Sequence, residues 1–145
     1  EEAHGRGKLV LCAFCRVPAP SSDEEGIKRI KKLMKADHAN AFDQLAECYE
    51  GGIRGMPQDF AKANELFLRA GELGCAEAYC HLGYSYISGR GVEVDKKKAK
   101  YYYELAAMAG HAQARHYLGC MEGNAGNIAR AYKHCILAAK AGYKD

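Results

Sequence analysis

The chain has 145 residues, 48% of them hydrophobic and 27% charged, with a formal net charge of +3. It is too apolar to be disordered, too short for two large domains, and without a run of about 18 apolar residues able to span a bilayer. The charge excess sits in residues 1–36, with 8 Lys and Arg against 5 Asp and Glu, while residues 37–145 hold 13 of each; a neutral array lacks the basic stripe that nucleic-acid binding draws on, so neither nucleic acid nor membrane is expected as a partner.

The first segment contains Cys12-Ala13-Phe14-Cys15, followed by Arg16 and the prolines Pro18 and Pro20. A C-x2-C pair lets two thiolates meet one tetrahedral zinc ion, but it supplies half of a four-ligand site. The alternative is a pair of small thiols with no metal. The apolar stretch at residues 9–14 is too short and wrongly flanked for a signal peptide, which points to cytoplasm or nucleus and to reduced cysteines. The cysteines number seven, so they could not all pair internally in any case.

Residues 21–36 read as a helix. Ser22 with Glu25 three residues on is a capping-box pattern, and Ile27, Ile30, Leu33 and Met34 form an apolar stripe suited to capping the helices after it. Acids at its start and lysines toward its end fit the helix dipole; a basic binding patch is the other reading of the same lysines.

From there the chain repeats itself with a period of about 36 residues. The unit from Ala76 to His111 recurs as ANAFDQLAECYEGG upstream and AQARHYLGCMEG downstream in its first half, and as DFAKANELFLRAGELG and NIARAYKHCILAAKAG in its second. Both halves have helical spacing, as at Tyr79, Leu82, Gly83 and Tyr86 and at Ala99, Tyr102, Tyr103, Ala106 and Ala107. Asp59, Asp95 and Asn127 stand at the start of each second helix as N-caps, and Gly74, Gly110 and Gly142 at its end, where a left-handed residue is wanted. Ala46, Gly83 and Gly119 are equivalent on the first helices, as are Ala63, Ala99 and Ala131 and then Ala70, Ala106 and Ala138 on the second. Such small residues suit tight crossings, since a larger side chain in a close-packed contact costs about 1–3 kcal/mol.

Leu82-Gly83 with Tyr86, the Gly89–Val92 stretch GRGV, Asp95, Lys98-Ala99, Tyr102 and the AAMAGH ending strongly resemble the Sel-one-like repeat, a relative of the tetratricopeptide repeat, over residues 39–142. The resemblance implies an all-α fold, tandem antiparallel helix hairpins forming a right-handed α-solenoid, with repeats at 37–75, 76–111 and 112–145 and a scaffolding role in protein complexes. Carrying tetratricopeptide-type concave positions across gives Asn40, Asp43, Glu47 and Glu50, then Glu77, Cys80 and Tyr84, then Gln113, His116 and Cys120 as partner-binding residues. The acids of the first unit suggest a peptide with basic residues at one end.

CxFCR followed by prolines resembles the last ligand pair of a RING finger, and a RING finger joined to Sel-one-like repeats is an architecture of diatom-type algal proteins that the whole chain resembles. On that resemblance residues 1–20 are the C-terminal remnant of the finger, expected to be disordered here. Cys12 and Cys15 would be zinc ligands only with the full finger present, and the parent protein would be a ubiquitin ligase that also meets a ubiquitin-conjugating enzyme. The chain itself shows no paired carboxylates, nucleophile elbow or phosphate loop, so no catalytic residue and no cofactor are expected in it. His116 and Cys120, four apart, could share a helix face, but a metal there needs further ligands. The outward side of the last helix, Ile128, Ala131, Cys135 and Ala138, has no obvious cover; either more chain or another molecule is expected against it, with marginal stability or self-association of the isolated chain.

Overall fold

A computed structural model describes residues 22–143, and these form seven helices with no strand among the described residues: α1 Asp23–Met34, α2 Ala39–Gly51, α3 Phe60–Glu72, α4 Ala76–Ser88, α5 Lys96–Met108, α6 Ala112–Asn124 and α7 Ile128–Lys140. Neighbours in sequence are neighbours in space. The pairs α2·α3, α4·α5 and α6·α7 are the hairpins, α3·α4 and α5·α6 join one hairpin to the next, and α1 packs on α2. This is the expected α-solenoid.

The chain's own chemistry sets most helix ends. Ser22 Oγ accepts from the Glu25 amide at 3.2 Å, and Asp59 and Asp95 Oδ1 accept from the first-turn amides of α3 and α5 at 2.9–3.0 Å. Asn127 departs from that expectation. It makes no cap bond, and its Nδ2 donates instead to Glu122 Oε2 at 2.8 Å. Glu122 also accepts from Lys100 Nζ, so one buried carboxylate ties α6 to α5 and to the turn before α7. Those bonds hold its carboxyl below the usual range, Lys100 contributing most. Gly74, Gly110 and Gly142 all take positive φ (101°, 90° and 92°), and each is followed by a residue whose amide bonds back to the carbonyl of Ala70, Ala106 or Ala138. The second helices therefore end in the left-handed closure that glycine makes accessible.

The core is one seam in three linked parts. Ile27 and Ile30 of α1 meet Ala41, Leu45 and Cys48 of α2; Phe67 and Ala70 of α3 meet Ala46, Ala78 and Leu82; Tyr103, Ala106 and Ala107 of α5 meet Ala114 and Leu118. Tyr49 and Leu66 touch the first two parts and Tyr79 the last two. Two expected positions fall elsewhere. Leu33 is 45% exposed, one helical step outside the stripe of Ile27 and Ile30. Ala138 is buried rather than outward, leaving Ile128, Tyr132 and Ile136 as the large apolar side chains exposed on α7.

The repeated small residues mark the closest approaches. A Cβ on Gly83 would lie 2.6 Å from the ring of Tyr103, which is 2% exposed and has nowhere to move. On Gly123 a Cβ would only reach the Ala131 Cβ at 3.7 Å, an ordinary contact. Gly83→Ala is therefore expected to lower stability by about 1–3 kcal/mol, whereas Gly123→Ala should be neutral or gain up to about 1 kcal/mol from helix propensity. Urea unfolding of the two variants side by side checks this, and equal effects would contradict it.

Candidate functional site

The first helices α2, α4 and α6 line an open groove of about 890 Å³. Six of the residues expected on the concave face lie there: Glu47, Glu50, Glu77, Cys80, Tyr84 and Gln113. The other four do not. Asn40 is exposed at the start of α2 and away from the groove. Asp43 is buried. His116 stacks on Tyr143 at 4.7 Å, and Cys120, with its Sγ 3.5 Å from His116 Nε2, lines a neighbouring cavity. Cys12 and Cys15 lie outside the described residues. Among the described residues no group of three or more His, Cys, Asp or Glu could hold a metal ion, and no helix is long and apolar enough to cross a membrane.

Several groove residues carry no signal in the concave-position pattern, because they come from loops or from other helix faces. Arg90 is the chief one. Gly91 beside it has φ +68°, and a Cβ there would sit 2.5 Å from the Phe60 carbonyl carbon, so the loop after α4 presses on the start of α3 in a way only glycine allows. Asn64 Nδ2 donates to the Arg90 carbonyl at 2.7 Å and pins the same loop. The Arg90 side chain then lies over the Tyr84 and Phe60 rings at 5.0 and 5.6 Å and reaches Glu50 at 3.5 Å. His81 is stacked on Phe67, centroids 4.5 Å apart, with its Nδ1 3.8 Å from the other Glu50 oxygen. Glu50 is thus engaged on both oxygens, while among the described residues Glu47 and Glu77, both exposed, make no ion pair, although Arg54 lines a small cavity with Glu47.

Burial governs the titratable groups around the groove. The Cys80 thiol is pushed up to about 12, chiefly by burial, so it acts as a packing group and not a nucleophile. Burial lowers His111, which lets its neutral Nδ1 accept from the Ala114 amide at 3.3 Å and cap α6. Asp43 is raised from 3.8 to about 6, first by burial; His81 offsets part of this, and Glu47 and Glu77 add to it. Among the described residues its Oδ1 has no hydrogen-bond partner.

A stack of paired helices whose first helices line a shared groove defines a tetratricopeptide-like repeat scaffold. The Sel1 repeat matches residues 43–75, 76–111 and 112–143, and the chain belongs to that family. It is 32% identical over 102 residues to an exopolysaccharide production negative regulator of Rhizobium meliloti (strain 1021), covering 68% of this chain and 38% of that protein. Among solved structures it is similar to a Sel1 repeat protein from Oxalobacter formigenes, with a TM-score of 0.77 and 28% identity over 83% of this chain and 50% of that one. It is also similar to a protective antigen present in uropathogenic Escherichia coli strains displaying an SLR fold, with a TM-score of 0.74 and 30% identity over 81% of this chain and 26% of that one. The chain spans half or less of the length of each. Sel1 repeat proteins act as protein-interaction scaffolds.

Asp43 supplies a pH test. A folded-state value above the unfolded one means that the folded protein holds this proton more tightly, so stability falls as pH rises from about 4 to 6 and the loss is complete above that window. Asp43→Asn should therefore stabilise the chain at pH 7.5 by roughly 2–3 kcal/mol and hardly at all at pH 4. Thermal melts at both pH values check it; an equal difference at each would show that the carboxylate is not penalised.

Proposed function

We propose that this chain is a protein-interaction module that holds a basic, extended segment of a partner protein in the groove between α2, α4 and α6. The observation that carries the reading is the pair of carboxylates that make no ion pair among the described residues, Glu47 and Glu77, on the groove wall beside a Glu50 already paired with Arg90. The array is balanced in charge overall, so this negative stretch is local, and a complementary segment would be steered to it and held in register. Tyr84 and Tyr117 offer flat apolar surface along the same wall. An acidic segment would meet repulsion from both carboxylates, with Arg90 already committed to Glu50.

The test uses fluorescein-labelled peptides, one of alternating Lys and Ser and one of alternating Glu and Ser. The Lys peptide should bind, and Glu47→Lys combined with Glu77→Lys should weaken it by about tenfold or more, since two attractions become repulsions. Both positions are exposed, so the melting temperature should hold. Equal binding of the Glu peptide, or an unaffected double variant, removes the reading.

A second reading concerns the parent protein. Cys12-Ala13-Phe14-Cys15 with Arg16 and the following prolines favours a RING-type ubiquitin ligase in which these repeats select the substrate and an upstream finger, zinc-loaded, receives the conjugating enzyme. The gain would be proximity, with no nucleophile supplied by the repeats. Coding sequence upstream of Glu1 decides it: the remaining cysteines and histidine at RING spacing support the ligase, and an unrelated segment removes it.

A further inference from the structure

Beyond Tyr84 and Tyr117 the groove continues into a second cavity of different chemistry. It measures about 550 Å³ and lies between the C-terminal halves of α4 and α6 and the start of α5. Ile87, Met121 and the ring of Tyr103 join the two shared tyrosines in its wall, and Lys96 and Asn124 supply its main polar groups. Ile87 and Tyr84 are 37% and 40% exposed, so this apolar surface is open to an incoming group. The volume exceeds that of one large side chain, and withdrawing an isobutyl or phenyl group from water into such a site is worth about a factor of ten or more in affinity.

Continuity and charge together select the occupant. Tyr84 and Tyr117 line both cavities, so a segment lying in the groove runs directly from the acids Glu47 and Glu77 to the apolar hole. We propose that this hole is an anchor pocket for one large apolar side chain, Leu- or Phe-like, carried by the same basic partner segment; the assignment rests on the groove reading above. The ligand is then bipartite. Cations lie toward α2, and an apolar residue lies between Ile87 and Met121. Uniformly basic segments would be held weakly, and the apolar residue would set position along the groove.

The test moves a single Leu through the Lys-Ser peptide, one position per synthesis. The best-placed Leu should tighten binding to the wild-type chain about tenfold over the all-Ser version, and the uncharged Ile87→Gln should abolish that gain while leaving the all-Ser peptide's affinity unchanged. Should Ile87→Gln melt early, Ile87→Ser makes the same comparison.

Cys120 gives a second readout, because its exposed thiol lines the cavity and that of Cys135 does not. The chain is equilibrated with mixed disulfides of cysteamine carrying a benzyl or a carboxyethyl group. Cys120 Sγ bonds to the fragment sulfur, the probe's S–S bond breaks, and cysteamine leaves as its thiolate. Mass mapping should find the benzyl preference at Cys120 about tenfold above that at Cys135. No gain from Leu at any position, with the all-Ser peptide still dependent on Glu47 and Glu77, overturns the anchor pocket and spares the groove. Peptides that bind without regard to those acids overturn both. Dimers in sedimentation that Ile87→Gln dissociates would assign the pocket to a second copy and overturn the partner segment.

Discussion

The fold depends on how closely the helix axes approach where a glycine faces an aromatic ring. Gly83 receives Tyr103 within the second hairpin, and Gly71 receives Tyr79 across the joint between the first and second. In both cases a single added carbon would sit within 2.6 Å of ring atoms. Contacts at this range bring many dispersion pairs together, and a rigid ring held on both sides cannot slide to a new register. The same device thus closes a hairpin and fixes how one hairpin leans on the next. Phe67 does related work on its own level: it fills the space beneath Ala46 and Ala78 while its ring face carries His81.

That seam faces one way, and the groove is what remains on the other side. α2, α4 and α6 turn mixed charged and aromatic side chains into the groove. The short loop after α4 then crosses the hairpin boundary. Gly91 lets it touch α3, Asn64 holds it, and Arg90 reaches the acid of the preceding unit. Arg90 pairs with Glu50 and His81 lies beside its other oxygen, which leaves Glu47 and Glu77 as the groove carboxylates open to a ligand. Asp43 belongs to neither set. It lies outside the groove lining as a buried acid whose Oδ1 has no partner among the described residues, a cost the packing around it carries.

The repeat, its helices and most of its caps are legible in the sequence, because periodicity, Asp at N-cap positions and Gly after the second helices each have a single local cause. The groove is legible in part. A register carried from a related repeat assigns a helix face to within about one residue, and one residue is a rotation of about 100°; Asp43 and His116, expected on the concave face, accordingly lie under and beside it. Nothing in that register points to Arg90 or His81. Arg90 acts through a loop whose course is set by a tertiary contact at Gly91, and no helical period encodes that. Asn127 shows the same limit at a smaller scale, since a buried carboxylate five residues earlier outcompetes the free amides of α7 for its side chain.

The first and last of the described helices are covered to different extents. At one end α1 lays Ile27 and Ile30 over α2, so the first hairpin is covered on both sides. At the other, α7 buries only Ala138 fully, and Ile128 and Tyr132 are about 70% exposed. In a stack whose stability sums over neighbouring interfaces, α7 packs chiefly on α6 and buries the fewest residues of the described helices. The groove and the apolar cavity draw their walls from α2, α4, α5 and α6 and their loops, and none from α7. Among the described helices α7 bears on the ligand surface through α6, where Glu122 holds both Lys100 of α5 and the Asn127 side chain that leads into α7.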